Sequence, residues 1–398
     1  MSEKKRNFLF LNIGHLFDHF FMLIFTTAVL TMESEFMDSY DRILALTMWG
    51  FIFFGGASIP AGWLGDRWSK HGMMLVFFVG IGAASIVTGL STTPGHVEIG
   101  LALIGIFGAI YHPIGLALVV KETDRVGRAL AINGVWGNMG VATAALTTGS
   151  IAEFYGWRMA FMLPGFISVG VGLLYGWHLW SIGSGIKADG SKKTSKPVPL
   201  SLQRKAFLFL LIAPLFGGLV FQAMTVALPK ILDDRLVGIF ANPSEIGFVA
   251  FCVFACAAVA QLIVGELLDR YPVKPLYLSI LFIQIIFCVL AVSAIGWTAV
   301  AVAVPLMLAT FGIIPINDWI VAHFISTEYR SRVYAVKSVF SLGVAAVAVK
   351  VTSYLYGESG SFDTLFMVLA ASAVIVLAAT VALIPGAASQ SAARAPAE

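Results

Sequence analysis

One apolar run carries two histidines and an aspartate within five residues: His15-Leu-Phe-Asp18-His19. At about 100° per residue on a helix, Asp18 lies roughly 60° to one side of His15 and His19 roughly 40° to the other. All three share a face that Asn12 and Met22 continue, while Phe and Leu fill the opposite side. An aspartate at the middle of a membrane helix costs about 2.5–3.5 kcal/mol, so an ionisable group in such a run is a functional candidate by default. A buried carboxyl beside imidazoles can trade charge with them near neutral pH. The chemistry expected is proton uptake and release, with Asp18 as the carrier. The alternative is a static Asp–His pair that fixes helix packing.

Two later runs add to the set. Tyr111-His112-Pro113 places an imidazole beside a proline, which frees a backbone carbonyl and can bend the helix. Pro315-Ile-Asn317-Asp318 places a second carboxyl near the end of another run. The expected proton-coupling set is therefore His15, Asp18, His19, His112 and Asp318. Metal ligation is a competing chemistry, because His15 and His19 stand at i and i+4, a spacing that can chelate one ion. No Cys or Glu cluster joins them, and two such histidines often only share a wet face, so neither a metal nor another cofactor is expected. Cys252, Cys256 and Cys288 all lie inside apolar runs and read as small hydrophobes. Lys350, deep in another run, reads as snorkelling to a headgroup layer.

The elements that must position these groups follow from composition. Hydrophobic residues make up 59% of the 398 residues and charged residues 12%, against roughly 25% charged in soluble domains. This balance excludes a soluble globular protein. Twelve apolar runs are expected to span a bilayer, at approximately 8–31, 43–64, 73–91, 98–120, 129–150, 159–180, 206–229, 245–268, 275–295, 298–321, 333–356 and 363–385. Each has about the 17–25 residues a helix needs, and unpaired backbone groups cannot stay in lipid. The run after Lys4-Lys5-Arg6 is too long for a cleavable signal peptide. No G-x-x-x-x-G-K-[ST] loop occurs, so ATP is not the evident energy source. Nothing points to nucleic acid.

A motif occurs twice. Gly62-Trp-Leu-Gly-Asp66-Arg67 recurs as Gly265-Glu-Leu-Leu-Asp269-Arg270, and Phe107-Gly108 recurs as Phe311-Gly312. The chain thus reads as an all-α integral membrane protein of twelve transmembrane helices in two pseudo-symmetric six-helix bundles. The expected divisions are 1–180, a polar linker at 181–205, 206–385 and a disordered tail at 386–398. Most of the 25 Lys and Arg fall on one side of the spans, while Glu33, Glu35, Asp38, Asp41, Asp233 and Asp234 fall on the other. By the positive-inside rule both termini are cytoplasmic. The halves differ in chemistry: at the repeat offset, His15, Asp18, His19 and His112 correspond to Gly218, Phe221, Gln222 and Ile316. Gln222, Thr225 and Asn317 suit neutral hydrogen bonding to a substrate, as Trp136 and Asn138 do in the fifth run. Gly134, Gly137 and Gly140 suit close helix packing.

The repeated Gly-x-Leu-x-Asp-Arg after the second span of each half, with Gly156-Trp157-Arg158 before the sixth, resembles the major facilitator superfamily. The resemblance covers nearly the whole chain. It implies that spans one, four, seven and ten line a central cavity, with Tyr111, Trp136, Asn138, Gln222, Thr225 and Asn317 as candidate contacts. It also implies gating by Gly62, Asp66, Arg67, Gly265, Asp269 and Arg270, with the first motif's acid meeting the start of span eleven near Ser331. His15-x-x-Asp18 together with Tyr111-His112-Pro113 and Gly115 is similar to the fosmidomycin-resistance-like branch, whose members are proton-driven exporters. The Gly-Pro element of drug antiporters is missing from span five, where Gly137-Asn138-Met139-Gly140 stands. The resemblance implies a monomeric secondary transporter in a cell membrane, of the bacterial inner-membrane type, moving a small molecule with protons. Efflux by antiport is the first reading and uptake of a small organic acid or metal chelate the second. A membrane enzyme and a sensor on the same fold are the other classes considered; no enzyme is expected.

Overall fold

The computed structural model describes residues 3–36, 38–121, 126–182 and 198–386. Ten described helices are long and apolar enough to cross a membrane: α1 (Glu3–Thr31), α2 (Tyr40–Gly65), α3 (Lys70–Gly89), α4 (Pro94–Val119), α6 (Trp157–Ser181), α7 (Leu200–Arg235), α8 (Pro243–Leu268), α9 (Val273–Ala291), α10 (Trp297–Val321) and α12 (Asp363–Leu383). Two more, α5 (Val126–Tyr155) and α11 (Thr327–Ser359), are 30 and 33 residues long and complete the twelve. Their residues are smaller or more polar for a positional reason. Helix α5 packs against α1 on one side and α8 on the other, and α11 packs against α2 and α7. Helices between the two halves contact protein more than lipid and can carry Gly, Ala, Ser and Thr.

The pairings repeat with a period of six helices. Helices α1 and α5, α2 and α4, and α3 and α6 pack together in the first half. In the second half the pairs are α7 and α11, α8 and α10, and α9 and α12. Contacts between halves obey the same symmetry, with α5 on α8 and α2 on α11. Without a hydrophobic drive between helices in lipid, backbone approach decides such seams. Where α5 meets α8, a Cβ on Gly149 would strike the backbone of Pro243, and one on Gly247 the Ala145 carbonyl.

Three helices are interrupted near prolines, and the interruption at Pro113 is the one the sequence predicts. Helix α4 breaks at Ala109 and Ile110, one turn before Pro113, whose missing N–H leaves the Ala109 carbonyl without its helical donor. Helix α7 contains a π-helical stretch at Ala213–Gly217, beside Pro214. Helix α2 is built from pieces ending at Ala45, Gly56 and Arg67, with Pro60 opening the last.

Among the described residues, polar contacts between the halves concentrate at the end carrying the acidic loops. Ser353 donates to the Asp41 carbonyl at 2.6 Å, and the Ser244 N–H to Glu153 at 3.1 Å. Lys230 lies 3.7 Å from Glu33 across the seam, and 3.0 and 3.1 Å from Asp233 and Asp234 on its own helix. The Tyr40 and Tyr356 rings meet edge to face at 5.0 Å. Midway along the bundle, Gln261 donates to Asn138 Oδ1 at 3.4 Å.

Candidate functional site

Helices α1 and α4 bring His15, Asp18, His19 and His112 together. The ring centroids of His15 and His19 are 5.0 Å apart, and each lies 5.6 Å from His112. The break at Ala109 and Ile110 reorients the start of the Tyr111–Lys121 segment, so that His112 faces α1. Asp18 is fully buried, and His112 Nε2 stands 3.1 Å from its Oδ2. That contact is off the line of a good hydrogen bond, and neither Asp18 oxygen has a well-aligned donor among the described residues. A buried carboxylate this poorly satisfied is expensive to keep charged, which favours a group that changes state over a static structural pair.

A second layer holds the first. His15 Nδ1–H donates to the Asn133 carbonyl at 2.7 Å, and its ring stacks on Tyr111 at 4.9 Å. The Tyr111 hydroxyl donates to the Leu11 carbonyl at 2.8 Å and accepts from Asn133 Nδ2 at 2.9 Å. Asn133 Nδ2 also reaches Asn12 Oδ1 at 3.0 Å. Glycine is required at position 137, where α5 passes over the face of His15: a Cβ there would lie 2.7–2.9 Å from Nε2, Cε1 and Cδ2 of the ring. Phe54 edges onto His112 at 6.0 Å.

The remaining expected residues divide. Tyr111 is fully buried behind His15, so it supports the cluster and does not line a cavity. Thr225 spends its hydroxyl on the Phe221 carbonyl of its own helix at 2.6 Å, and Asn317 accepts from Tyr277 at 3.1 Å; both are buried. Asn138 is buried at the α5–α8 seam, with Nδ2 unpartnered among the described residues. Trp136 and Gln222 are half-buried. Asp318 does not join the histidines; it forms an ion pair with Lys337 of α11. Asn133 and Lys337 were missed in the sequence. An asparagine in an apolar run was the available signal for Asn133, whereas Lys337 reads as one more basic residue at a helix end.

At the repeated motifs, Arg67 lies over the Trp63 ring at 5.5 Å, and Arg270 pairs with Glu266 on its own helix at 2.5 Å. Gly62 faces Pro113 of α4, while a Cβ on Gly265 would meet open space. The side chains of Asp66, Asp269 and Ser331 lie outside the described residues, as do most of the expected linker and the tail from 387. At the acidic end, Arg158 binds Glu35 with contacts of 2.6 and 2.9 Å, joined by Trp157 Nε1 at 2.6 Å. These bonds from Arg158 hold the Glu35 carboxyl below its ordinary range. Burial instead pushes Glu33 up, partly offset by Lys230.

The described helices thus form two halves with matching pairings. The family profile of the Major Facilitator Superfamily matches residues 11–236 and 236–398. The chain belongs to the Major Facilitator Superfamily. Solved structures of a bacterial homologue of the human lysosomal transporter Spinster share its fold. One, inward-facing and occupied, has a TM-score of 0.76 at 14% identity over 96% of both chains. Another, inward-facing and unoccupied, has a TM-score of 0.71 at 16% identity over 96% of this chain and 95% of the other. Among curated relatives, the puromycin resistance protein pur8 of Streptomyces alboniger is 31% identical over 26% of this chain and 22% of its own. The tetracenomycin C resistance and export protein of Streptomyces glaucescens is 35% identical over 29% and 21%. The membrane sensor protein UhpC of Salmonella typhimurium is 27% identical over 32% and 30%. The matched stretch thus spans about a fifth to a third of each of these relatives. Membership, with ten described helices long and apolar enough to cross a membrane, makes the chain a multi-pass membrane protein.

Proposed function

We propose that this superfamily member exports a small organic molecule by exchange for protons, with Asp18 as the proton carrier and His15, His19 and His112 as its tuning partners. The observation that carries the reading is the fully buried Asp18 carboxyl, whose one close polar contact among the described residues is His112. A carboxylate in lipid must neutralise or find a partner, so its charge can be exchanged with the opening and closing of the cavity. The names of the resistance and export relatives support the outward direction. The resemblance of α1 and α4 to the fosmidomycin-resistance-like branch supports it as well.

In this reading the termini and the basic loops face the cytoplasm of a cell with an inner membrane. The acidic end is then outside, where the Lys230–Glu33 and Asp41–Ser353 contacts join the halves. Residues 1–180 and 206–385 move as two bodies, joined through 181–205, and the chain acts as a monomer. Gly62, Asp66 and Arg67, with Gly265, Asp269 and Arg270, govern exchange between states and do not touch the substrate. Trp136, Asn138 and Gln222 are the proposed substrate contacts.

Proton flux into liposomes bearing the purified protein tests the reading. Substrate-dependent flux shows a carrier and not a sensor, and its sign separates antiport from symport. Asp18→Asn should stop accumulation driven by a pH gradient while substrate binding survives, because the amide keeps the size of the acid. Full pH-driven accumulation by Asp18→Asn would sink the proposal.

A further inference from the structure

We propose that His15, His19 and His112 form a binding site for a divalent transition-metal ion, which the protein carries as a cargo. One ligating nitrogen from each imidazole can be chosen so that all three lie within 4.8 Å of one another. In a tetrahedral site with metal–nitrogen bonds of about 2.0–2.1 Å, such nitrogens stand about 3.4 Å apart. Binding an ion would require the half-buried His19 and His112 side chains to rotate inward.

Proximity alone would be weak, but the His15 ring is held as metal ligands are held, and a carboxylate stands beside His112. Ligating histidines almost always give their second N–H to a carbonyl or a carboxylate, which fixes the tautomer and the ring plane. His15 gives Nδ1–H to the Asn133 carbonyl at 2.7 Å, which leaves the Nε2 lone pair bare. Gly137 lies over the face of that ring, where a Cβ would strike Nε2. His112 turns Nε2 to the Asp18 carboxylate at 3.1 Å, which leaves Nδ1 for an ion. Asp18 is wholly buried, and its Oδ1 is unpartnered among the described residues. A carboxylate in that position supplies negative charge beside a bound cation that would otherwise be costly in lipid.

The ligand type sets the class of ion. Neutral imidazoles suit zinc, cobalt, nickel and copper, and not magnesium or calcium, which take oxygen ligands. Three imidazoles leave a fourth position open for water or for a donor on a chelating molecule. An open sphere built on α1 and α4 alone suits an ion that must leave again better than a closed structural site. The cargo role rests on the transport reading above; the binding does not.

The test is titration of the purified full-length protein in nanodiscs with Co²⁺, read by the visible absorption of tetrahedral cobalt and by displacement with Zn²⁺. The expected result is one ion per chain, no competition by Mg²⁺, and loss of the signal in His19→Gln and in His112→Gln. Asp18→Asn should keep the ligands but bind about 10–100-fold more weakly, as loss of an orienting partner does. No cobalt signal, or affinity in both histidine variants equal to that of the unaltered protein, would overturn the site. Zn²⁺ movement into liposomes containing an indicator, lost in the same variants, supports the cargo role; stoichiometric binding without movement overturns that role. An added organic chelate of Zn²⁺ that moves when the free ion does not identifies the chelate as the transported form. Proton flux measured with EDTA present keeps the two readings apart, since proton-driven export that survives chelation stands whether or not the metal site does.

Discussion

The inner faces of the two halves share a scaffold and differ in chemistry. In the first half, α1 and α4 bring three imidazoles together, one of them against Asp18, and Tyr111 and Asn133 brace His15. At the equivalent places in the second half, α7 and α10 present Phe221 against Phe311 at 5.1 Å, with Gln222 beside them and Ile316 fully buried. The helix pairings are the same, so the fold does not require the charges. Groups that cost free energy in lipid and are not needed for packing are retained for what they do. The second half offers an apolar and neutral wall, and the first a cluster of ionisable side chains.

Four measurements would break or sharpen this contrast. The largest effect is expected in transport: pH-driven accumulation should fall to background in Asp18→Asn, while Gln222→Leu should alter substrate affinity and leave the pH dependence in place. Equal loss of pH dependence in both would erase the asymmetry. Thermal unfolding in detergent ranks next. His112→Ile strands the buried Asp18 carboxyl and should destabilise the protein by about 1–3 kcal/mol or more, whereas Ile316→Val at the matching position should cost about 0.5–1.5 kcal/mol. The same assay with Asn133→Leu tests the bracing layer. That variant removes the amide contacts to Tyr111 and Asn12 and should cost about 1–3 kcal/mol, provided those groups stay dry. Unchanged stability would show that the layer is not a support.

The smallest effect concerns the acidic end. Burial raises the Glu33 carboxyl, so the closed arrangement holds that proton more tightly than an open one would. Acidification through the Glu33 range should therefore favour closure, and Glu33→Gln should mimic acid. Glu35 behaves oppositely: its bonds to Arg158 lower it, so their contribution is present above the ordinary carboxylate range and fades only as pH falls below it. Both carboxylates are partly exposed, which keeps these shifts small. Labelling of single cysteines in the acidic loops as pH is varied would read the closure, and an opening at low pH would reverse the assignment.

The local periods of the sequence are enough to determine the helices, their number and their halves. Lipid leaves the backbone no alternative, and the duplicated Gly-x-Leu-x-Asp-Arg marks the repeat wherever the helices pack. They also determine that His15, Asp18 and His19 share a face, because that depends only on the pitch of one helix. Which faces meet is a different kind of question. Tertiary structure alone decided that His112 turns to Asp18, that Tyr111 lies behind His15 and out of the cavity, and that Asn133 ties three helices together. It also decided that Asp318 pairs with Lys337, away from the histidines. Those choices depend on where glycines such as Gly137, Gly149 and Gly247 let backbones approach, and on where Pro113 breaks a helix. Both are set by neighbours far away in the chain, and no local period records them.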